Sequence, residues 1–339
     1  MTQSEALKLY DLELLEIGKQ ADTIRRRING DRVFYNRNRH INPTNICADH
    51  CRFCGFSVHR KNPNPYTMSI DDVVSTAVSA YDRGAKEVHI VSAHNREVGL
   101  NWYFDLFRAV KTAVPDIHLK AMTAAEVDFL SREYHLTYDQ VLDKMIEVGV
   151  DSMPGGGAEI FDEKLREKIC GGKVKSADWL KIHELWHSRG RKSNASMLFG
   201  HIETREQRVD HLLRIRNLQE KTGGFNALIP LLYQRENNFL DVATPLDSEE
   251  ILKTIAVSRI ILDNIAHIKA YWVGLTVNLA LVAQEFGADD LDGTIEKESI
   301  TSAAGADSKF GIDRQTMIDL IKNAGFKPIE RDSLYNEVG

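Results

Sequence analysis

The stretch NICADHCRFCGFS, residues 45–57, holds three of the chain's four cysteines, Cys47, Cys51 and Cys54, at the spacing C-x3-C-x2-C. It follows an apolar run at 34–41 that reads as a short strand. Beyond it, short apolar runs alternate with longer stretches of helical periodicity, and further strands are expected at 87–92, 118–122, 150–153, 194–198, 226–230, 268–272 and 288–292. Ser69 and Ser176 read as helix caps, and Gly84, Gly149 and Gly190 stand where helices hand over to strands. Eight strand–helix units over about 260 residues predict the α/β class and a (β/α)8 barrel of TIM type, with an open doubly wound sheet as the alternative. Residues 1–30 read as a helical lead-in and 31–339 as one barrel domain. The tail FKPIERDSLY, residues 326–335, is either a last strand or an extension across the barrel.

The chain has 339 residues, 43% hydrophobic and 27% charged, with a formal charge of −6. Such a composition buries a large core and offers neither nucleic acid nor an anionic membrane an electrostatic reason to bind. Neither a signal-peptide pattern nor an 18-residue apolar run is present, so a cytoplasmic protein is expected. In a reducing compartment three clustered thiols point to a metal or redox site rather than to disulfides.

Reactive residue types fall after expected strands: the cysteines after the first, His94 and Asn95 after the second, and Thr123 to Glu126 after the third. The run PGGGAE, residues 154–159, follows the fourth, His201 the fifth, and Tyr233 and Arg235 the sixth. In a barrel these loops share one face, where barrel active sites lie. Residues 154–157 are too glycine-rich for regular structure and admit a ligand close to the main chain. Glu159 is either a helix-start carboxylate or a contact to a cofactor ribose or substrate. His201 is either a buried histidine beside a helix capped by Thr204 or a functional group. Arg235 is either a carboxylate clamp or the partner of Glu236 in a surface ion pair. Tyr271 and Trp272 are expected in the core, and Cys170 is expected to be an unrelated thiol on or beside a helix.

A cluster of four irons takes four ligands, so three cysteines leave one iron open to a small molecule. A zinc site needs a fourth ligand, which His50 or His59 would have to supply. The spacing, with Phe53 before the last cysteine, resembles the radical S-adenosylmethionine (SAM) superfamily, in which a [4Fe–4S] cluster binds the methionyl end of SAM and releases a 5′-deoxyadenosyl radical.

Six stretches together resemble the aminofutalosine (aminodeoxyfutalosine) synthases: HINPTNICADHCRFCGFS at 40–57, LKAMTAAEVDFL at 119–130, DSMPGGGAEIF at 151–161, SMLFGHIETREQRVDHL at 196–212, HIKAYWVGLTVNLALVAQEFGADDLDGT at 267–294 and PIERDSLY at 328–335. The resemblance implies cluster ligation by Cys47, Cys51 and Cys54. SAM contacts are expected at Phe53, Ser92, Ala93, Thr123, Glu126, Gly156 and Glu159, although Ser92 and Ala93 replace a Gly-Gly pair usual in this group. The substrate or catalytic candidates are His94, Asn95, His201, Tyr233 and Arg235. The implied reaction adds the adenosyl radical to the vinyl carbon of 3-[(1-carboxyvinyl)oxy]benzoate. The aryl group migrates from oxygen to carbon, and 6-amino-6-deoxyfutalosine, methionine and bicarbonate result, in menaquinone biosynthesis. An electron donor such as flavodoxin or ferredoxin is implied. The alternatives are a dehypoxanthine futalosine cyclase, which abstracts hydrogen and releases 5′-deoxyadenosine, and a non-catalytic iron–sulfur or zinc protein.

Overall fold

The computed structural model describes residues 1–59, 61–295, 299–306 and 311–338. Its strands are β1 (Arg32–Asn36), β2 (Asn38–Ile41), β3 (Glu87–Ile90), β4 (His118–Ala121), β5 (Ser152–Met153), β6 (Lys192–Phe199), β7 (Phe225–Leu232), β8 (His267–Ile268), β9 (Asp290–Gly293) and β10 (Lys327–Glu330). Strands β2 to β8 form a seven-stranded sheet in chain order, and β1 lies between β10 and β9 in a second sheet; every pairing is parallel.

The two sheets meet at both sides. Arg37 alone separates β1 from β2, and Lys269, one residue past β8, bridges to Asp290 of β9. Counting β1 and β2 as one long strand, eight parallel strands close a barrel, with β10 added beside β1. The tail thus supplies a strand, pairing Arg32 with Lys327 through Tyr35 with Glu330. Parallel order sends every strand-to-helix loop to one end, and that end carries the cysteine loop.

Local chemistry sets the helix starts. Ser69 caps Ile70–Asp82, Thr123 caps Ala124–Tyr134 and Thr204 caps Arg205–Thr222, each with a reciprocal bond from the third helical residue. Gly84, Gly149 and Gly190 all adopt positive φ where helices end. Ser176 is not a cap: it is the first residue of Ser176–Ser188 and its N–H donates to Glu163 Oε1 at 2.8 Å. The strand expected at 268–272 stops at Ile268, and Trp272 opens the short helix Trp272–Leu275; Tyr271 and Trp272 are nonetheless buried.

The lead-in comprises Gln3–Lys8, a 3-10 turn at Leu9–Asp11 and Leu14–Asn29. The last helix buries Ile17, Ala21, Arg25 and Asn29, one stripe at four-residue spacing, and packs on Ser248–Ile261. Among the described residues no helix is long and apolar enough to cross a membrane.

The run at 154–157 is shaped by packing as well as by openness. A Cβ on Gly155 would lie 2.6 Å from the carbonyl carbon of Ala195 and 2.8 Å from Ser196 N, both main-chain atoms of β6. Gly155 O also accepts from Ser196 Oγ at 2.6 Å. Gly155→Ala should therefore lower stability by about 1–3 kcal/mol, the usual cost of overpacking, seen as an earlier urea midpoint at unchanged slope.

Candidate functional site

The C-terminal end of the barrel opens into a cavity of about 320 Å³. All three clustered cysteines line it, with Phe53, Ser92, Ala93, His94, Thr123, Gly156, Glu159 and Tyr233. Glu126, Asn95, His201 and Arg235 do not. The sequence thus brings eleven of its fifteen candidates to one wall, and the other four have structural reasons to lie elsewhere.

Glu126 is buried behind the wall. Its Oε1 accepts from Ser92 N at 2.9 Å, and its Oε2 accepts from Thr123 N and Thr123 Oγ1 at 2.7 and 2.9 Å. The carboxylate ties the loop after β3 to the helix after β4 and so presents Ser92 to the cavity. Asn95 is fully engaged: its Nδ2 donates to Thr44 Oγ1 and Thr67 Oγ1, and its Oδ1 accepts from Glu97 N. His201 is the buried, hydrogen-bonded histidine of the plainer expectation, with Nε2 3.2 Å from Leu198 O and Nδ1 3.2 Å from Glu203 Oε2. Arg235 is exposed, lines a separate open depression and donates from Nη2 to Ala243 O at 3.2 Å. Tyr233 lines the cavity, while its hydroxyl lies 2.8 Å from two acceptors, Asn238 Oδ1 and Leu240 O, and its one proton serves either.

The cysteine loop is fastened by His94. His94 O accepts from Ala48 N at 2.8 Å, Nδ1 lies 2.8 Å from Asp49 Oδ2, and the ring stacks on Phe129 at 4.8 Å and 12°. Burial alone would raise the Asp49 carboxyl, but His94, Lys173 and Arg132 outweigh it and hold the group below its ordinary range.

Glu159 does not open a helix. It sits in the loop at φ +47°, and the helix Glu163–Cys170 starts four residues later behind Asp162. Its Oε1 accepts from Lys173 Nζ at 2.6 Å. Burial pushes the Glu159 carboxyl up, but the nearby Lys173 ammonium prevails and leaves it below 4.5. Lys173 also stands over the Phe53 ring at 5.7 Å and close enough to Cys51 and Cys170 to act on both thiols. Cys170 is therefore near the site in space although distant in sequence. It ends a helix, is buried and does not line the cavity, and burial pushes its thiol up to about 11.

Burial raises the Cys47 thiol and pushes Cys51 well above its ordinary value, so both need a metal to displace their protons. Among the described residues no three His, Cys, Asp or Glu side chains converge on one ion. Three cysteines lining one cavity fit a multi-iron cluster, where each takes a different iron and one iron stays open to a ligand. Ser57 N donates to Cys54 Sγ at 3.4 Å, an outer bond of the kind that tunes a cluster. Among the described residues Ser92 Oγ is buried without a protein partner, and Ser92 lines the same cavity.

Deeper in, the cavity is lined by His40, Glu87, His89, Lys120, Lys269 and Asp292, none of which the motif reading selected. Their signal was alternation: Glu87 and His89 punctuate Val88 and Ile90, and Lys120 stands between Leu119 and Ala121. A polar side chain on the inward face of a barrel strand needs a reason to be there.

Lys173→Met would leave Glu159 buried without its cation, at an expected cost of about 3–5 kcal/mol. Because the folded Glu159 titrates below 4.5, the pair's contribution is complete above that value and is lost as pH falls through the lowered folded value. Urea unfolding of wild type and variant should therefore differ most near pH 7 and converge on acidification.

Comparison with known proteins agrees with this geometry. The family model of the Radical SAM superfamily matches residues 41–215, and that of the CofH/MqnC C-terminal region matches 222–338. The aminodeoxyfutalosine synthase of Thermus thermophilus is 39% identical over 98% of this chain and 91% of its own. The cyclic dehypoxanthine futalosine synthase of Streptomyces coelicolor is 34% identical over 100% of this chain and 86% of its own. The crystal structure of methylornithine synthase (PylB) shares the fold, with a TM-score of 0.78 at 17% identity over 96% of this chain and 94% of that one. Three thiols at the mouth of a parallel barrel and a full-length likeness to these enzymes lead to one conclusion: the chain belongs to the radical SAM superfamily, in the branch that contains the aminodeoxyfutalosine synthases.

Proposed function

We propose that this protein is an aminodeoxyfutalosine synthase, joining SAM to 3-[(1-carboxyvinyl)oxy]benzoate. The observation that carries the reading is the 39% identity to the Thermus thermophilus enzyme of that name along nearly the whole chain. On this reading Cys47, Cys51 and Cys54 hold a [4Fe–4S] cluster that, once reduced, supplies the electron for cleaving SAM into methionine and a 5′-deoxyadenosyl radical. The reductant is a low-potential carrier such as flavodoxin or ferredoxin, and the compartment is the cytoplasm.

The protein's own part is placement. Phe53, Ser92, Ala93, Thr123, Gly156 and Glu159 face one cavity with the cysteines and are the SAM contacts of this reading. Glu126 acts through Ser92 and Thr123, which it positions. Glu159, kept ionised by Lys173, accepts hydrogen bonds from ribose hydroxyls. Ser92 Oγ, a buried polar atom without a partner among the described residues, gains one from bound SAM. Leu198, Ile229, Leu231 and Leu232 wall the β6–β7 side of the cavity with hydrocarbon and exclude water from an alkene held beside SAM.

The second reading is a cyclase, favoured by 34% identity to the cyclic dehypoxanthine futalosine synthase over the whole chain. The two differ in the fate of the ribose. Anaerobically reconstituted protein with ribose-labelled SAM, a reductant and the enol ether should place most label in a nucleoside that also contains the benzoate ring. If the enol ether is untouched while dehypoxanthine futalosine is consumed and the label leaves as 5′-deoxyadenosine, the cyclase reading holds.

Cys51→Ala should lose the cluster's iron and its charge-transfer absorption. Cys170→Ser should keep about four irons per chain, because Cys170 does not line the cavity. Iron analysis and visible spectra of the two variants check both statements.

A further inference from the structure

Three adjacent strands carry polar side chains at one level of the barrel. His40 of β2 is in register with His89 of β3, and His89 with Lys120 of β4. In-register neighbours on parallel strands point to the same side, and all three line the cavity. Lys269 faces the same space from the end of β8.

The carboxylates of this layer are already well supplied. Glu87 Oε2 accepts from Lys120 Nζ at 2.5 Å, Ser333 Oγ at 2.5 Å and Asn36 Nδ2 at 3.5 Å. Asp292 accepts from Lys269 Nζ and has Arg331 Nη2 at 3.9 Å. The donors are not matched in the same way. An ammonium carries three N–H groups, and among the described residues Lys120 and Lys269 each donate to one side chain, Glu87 and Asp292. Among the described residues His89 Nε2 is buried with no protein partner, and in its Nε2–H tautomer it is a donor. A buried polar atom left in this state costs free energy unless a ligand or water completes it. These pairs leave the layer close to neutral, so what it offers is directed donors rather than an open field of positive charge. A group that accepts several hydrogen bonds through two oxygens meets that demand.

We infer that Lys120, Lys269 and His89 form a carboxylate subsite that takes the ring carboxylate of an aryl enol-ether substrate. The assignment rests on the proposed function for the identity of the substrate. The choice of the ring carboxylate comes from depth. Ser92 and Thr123, on the SAM side of the cavity, lie in the loops beyond the C-terminal ends of β3 and β4, three residues past His89 and Lys120, which sit within those strands. The alkene must reach SAM, so the acid at the far side of the arene reaches the layer below. Arg235, outside the cavity, has no part in it.

The test compares two ligands, 3-[(1-carboxyvinyl)oxy]benzoate and 2-phenoxyacrylate, which lacks only the ring carboxylate. Binding is measured by calorimetry on the anaerobic, cluster-loaded, full-length protein with SAM present and no reductant. Wild type should bind the first about tenfold to hundredfold more tightly, the range for one or two charge-assisted hydrogen bonds. In Lys269→Met and in His89→Phe that ratio should collapse toward one. His89→Phe breaks no ion pair, and so serves if Lys269→Met does not fold. A wild-type ratio near one, or a ratio preserved in a folded variant of either kind, overturns the subsite. Wild type that shows the ratio but forms no nucleoside adduct when reductant is added would sink the proposed function and leave the subsite standing.

Discussion

The interior of this barrel depends on paired buried charge. Arg331 is fully buried and donates from Nε to Asp290 Oδ2 at 2.6 Å; Lys269 pairs with Asp292, and Lys120 with Glu87. Most barrels fill this space with branched aliphatic side chains. Ions placed there must each find a partner, because one left alone costs several kcal/mol. The partners come from distant parts of the chain: β3, β4, the end of β8, β9 and the tail. The pairs therefore also register these elements. Asp290 both bridges to Lys269 through the main chain and holds Arg331, so one residue joins the ring closure to the tail.

The tail completes the same layer. Ser333 reaches Glu87, and Tyr335 stacks on His267 at 3.6 Å and 6° under the Arg331 guanidinium. His267 in turn lies 2.5 Å from Asp289, which also pairs with Arg259. A sequence feature that served as a family marker, ERDSLY, thus has a mechanical role. Its Glu330 ends β10, the strand that pairs beside β1, and its Arg331 supplies the cation that meets Asp290 and Asp292.

The upper wall is built differently, from main chain and short polar bonds. Glu126 joins two loops by accepting three hydrogen bonds, and Gly155 lets one loop lie directly against β6. Lys173 serves Glu159 while standing close to Cys51. Rigid supports on one side and partly unsatisfied donors on the other make a cavity that is shaped before any ligand arrives, which is what placement of a reactive species requires.

Much of this was legible in the sequence because it is local. The C-x3-C-x2-C spacing, the caps at Ser69, Thr123 and Thr204, the glycines ending helices and the alternation of strand with helix all depend on residues within one or two turns of each other. Parallel order then followed, and with it the gathering of loops at one end. The fates of Glu126, Asn95, His201 and Arg235 were not legible, since a polar side chain after a strand looks the same whether it turns inward or binds its own loop. Nor was the nearness of Cys170 to Cys51, which spans 119 residues of chain (170 minus 51). The ion pairs of the barrel interior belong to the same class. Which lysine meets which carboxylate is set by closure of the ring, a long-range event whose partners leave no mark on the residues beside them. The sequence by itself determined the alternation of strand and helix, the turns and the three thiols; tertiary structure alone decided which polar groups face the cavity and which hold the wall, because burial and pairing are properties of the assembled barrel.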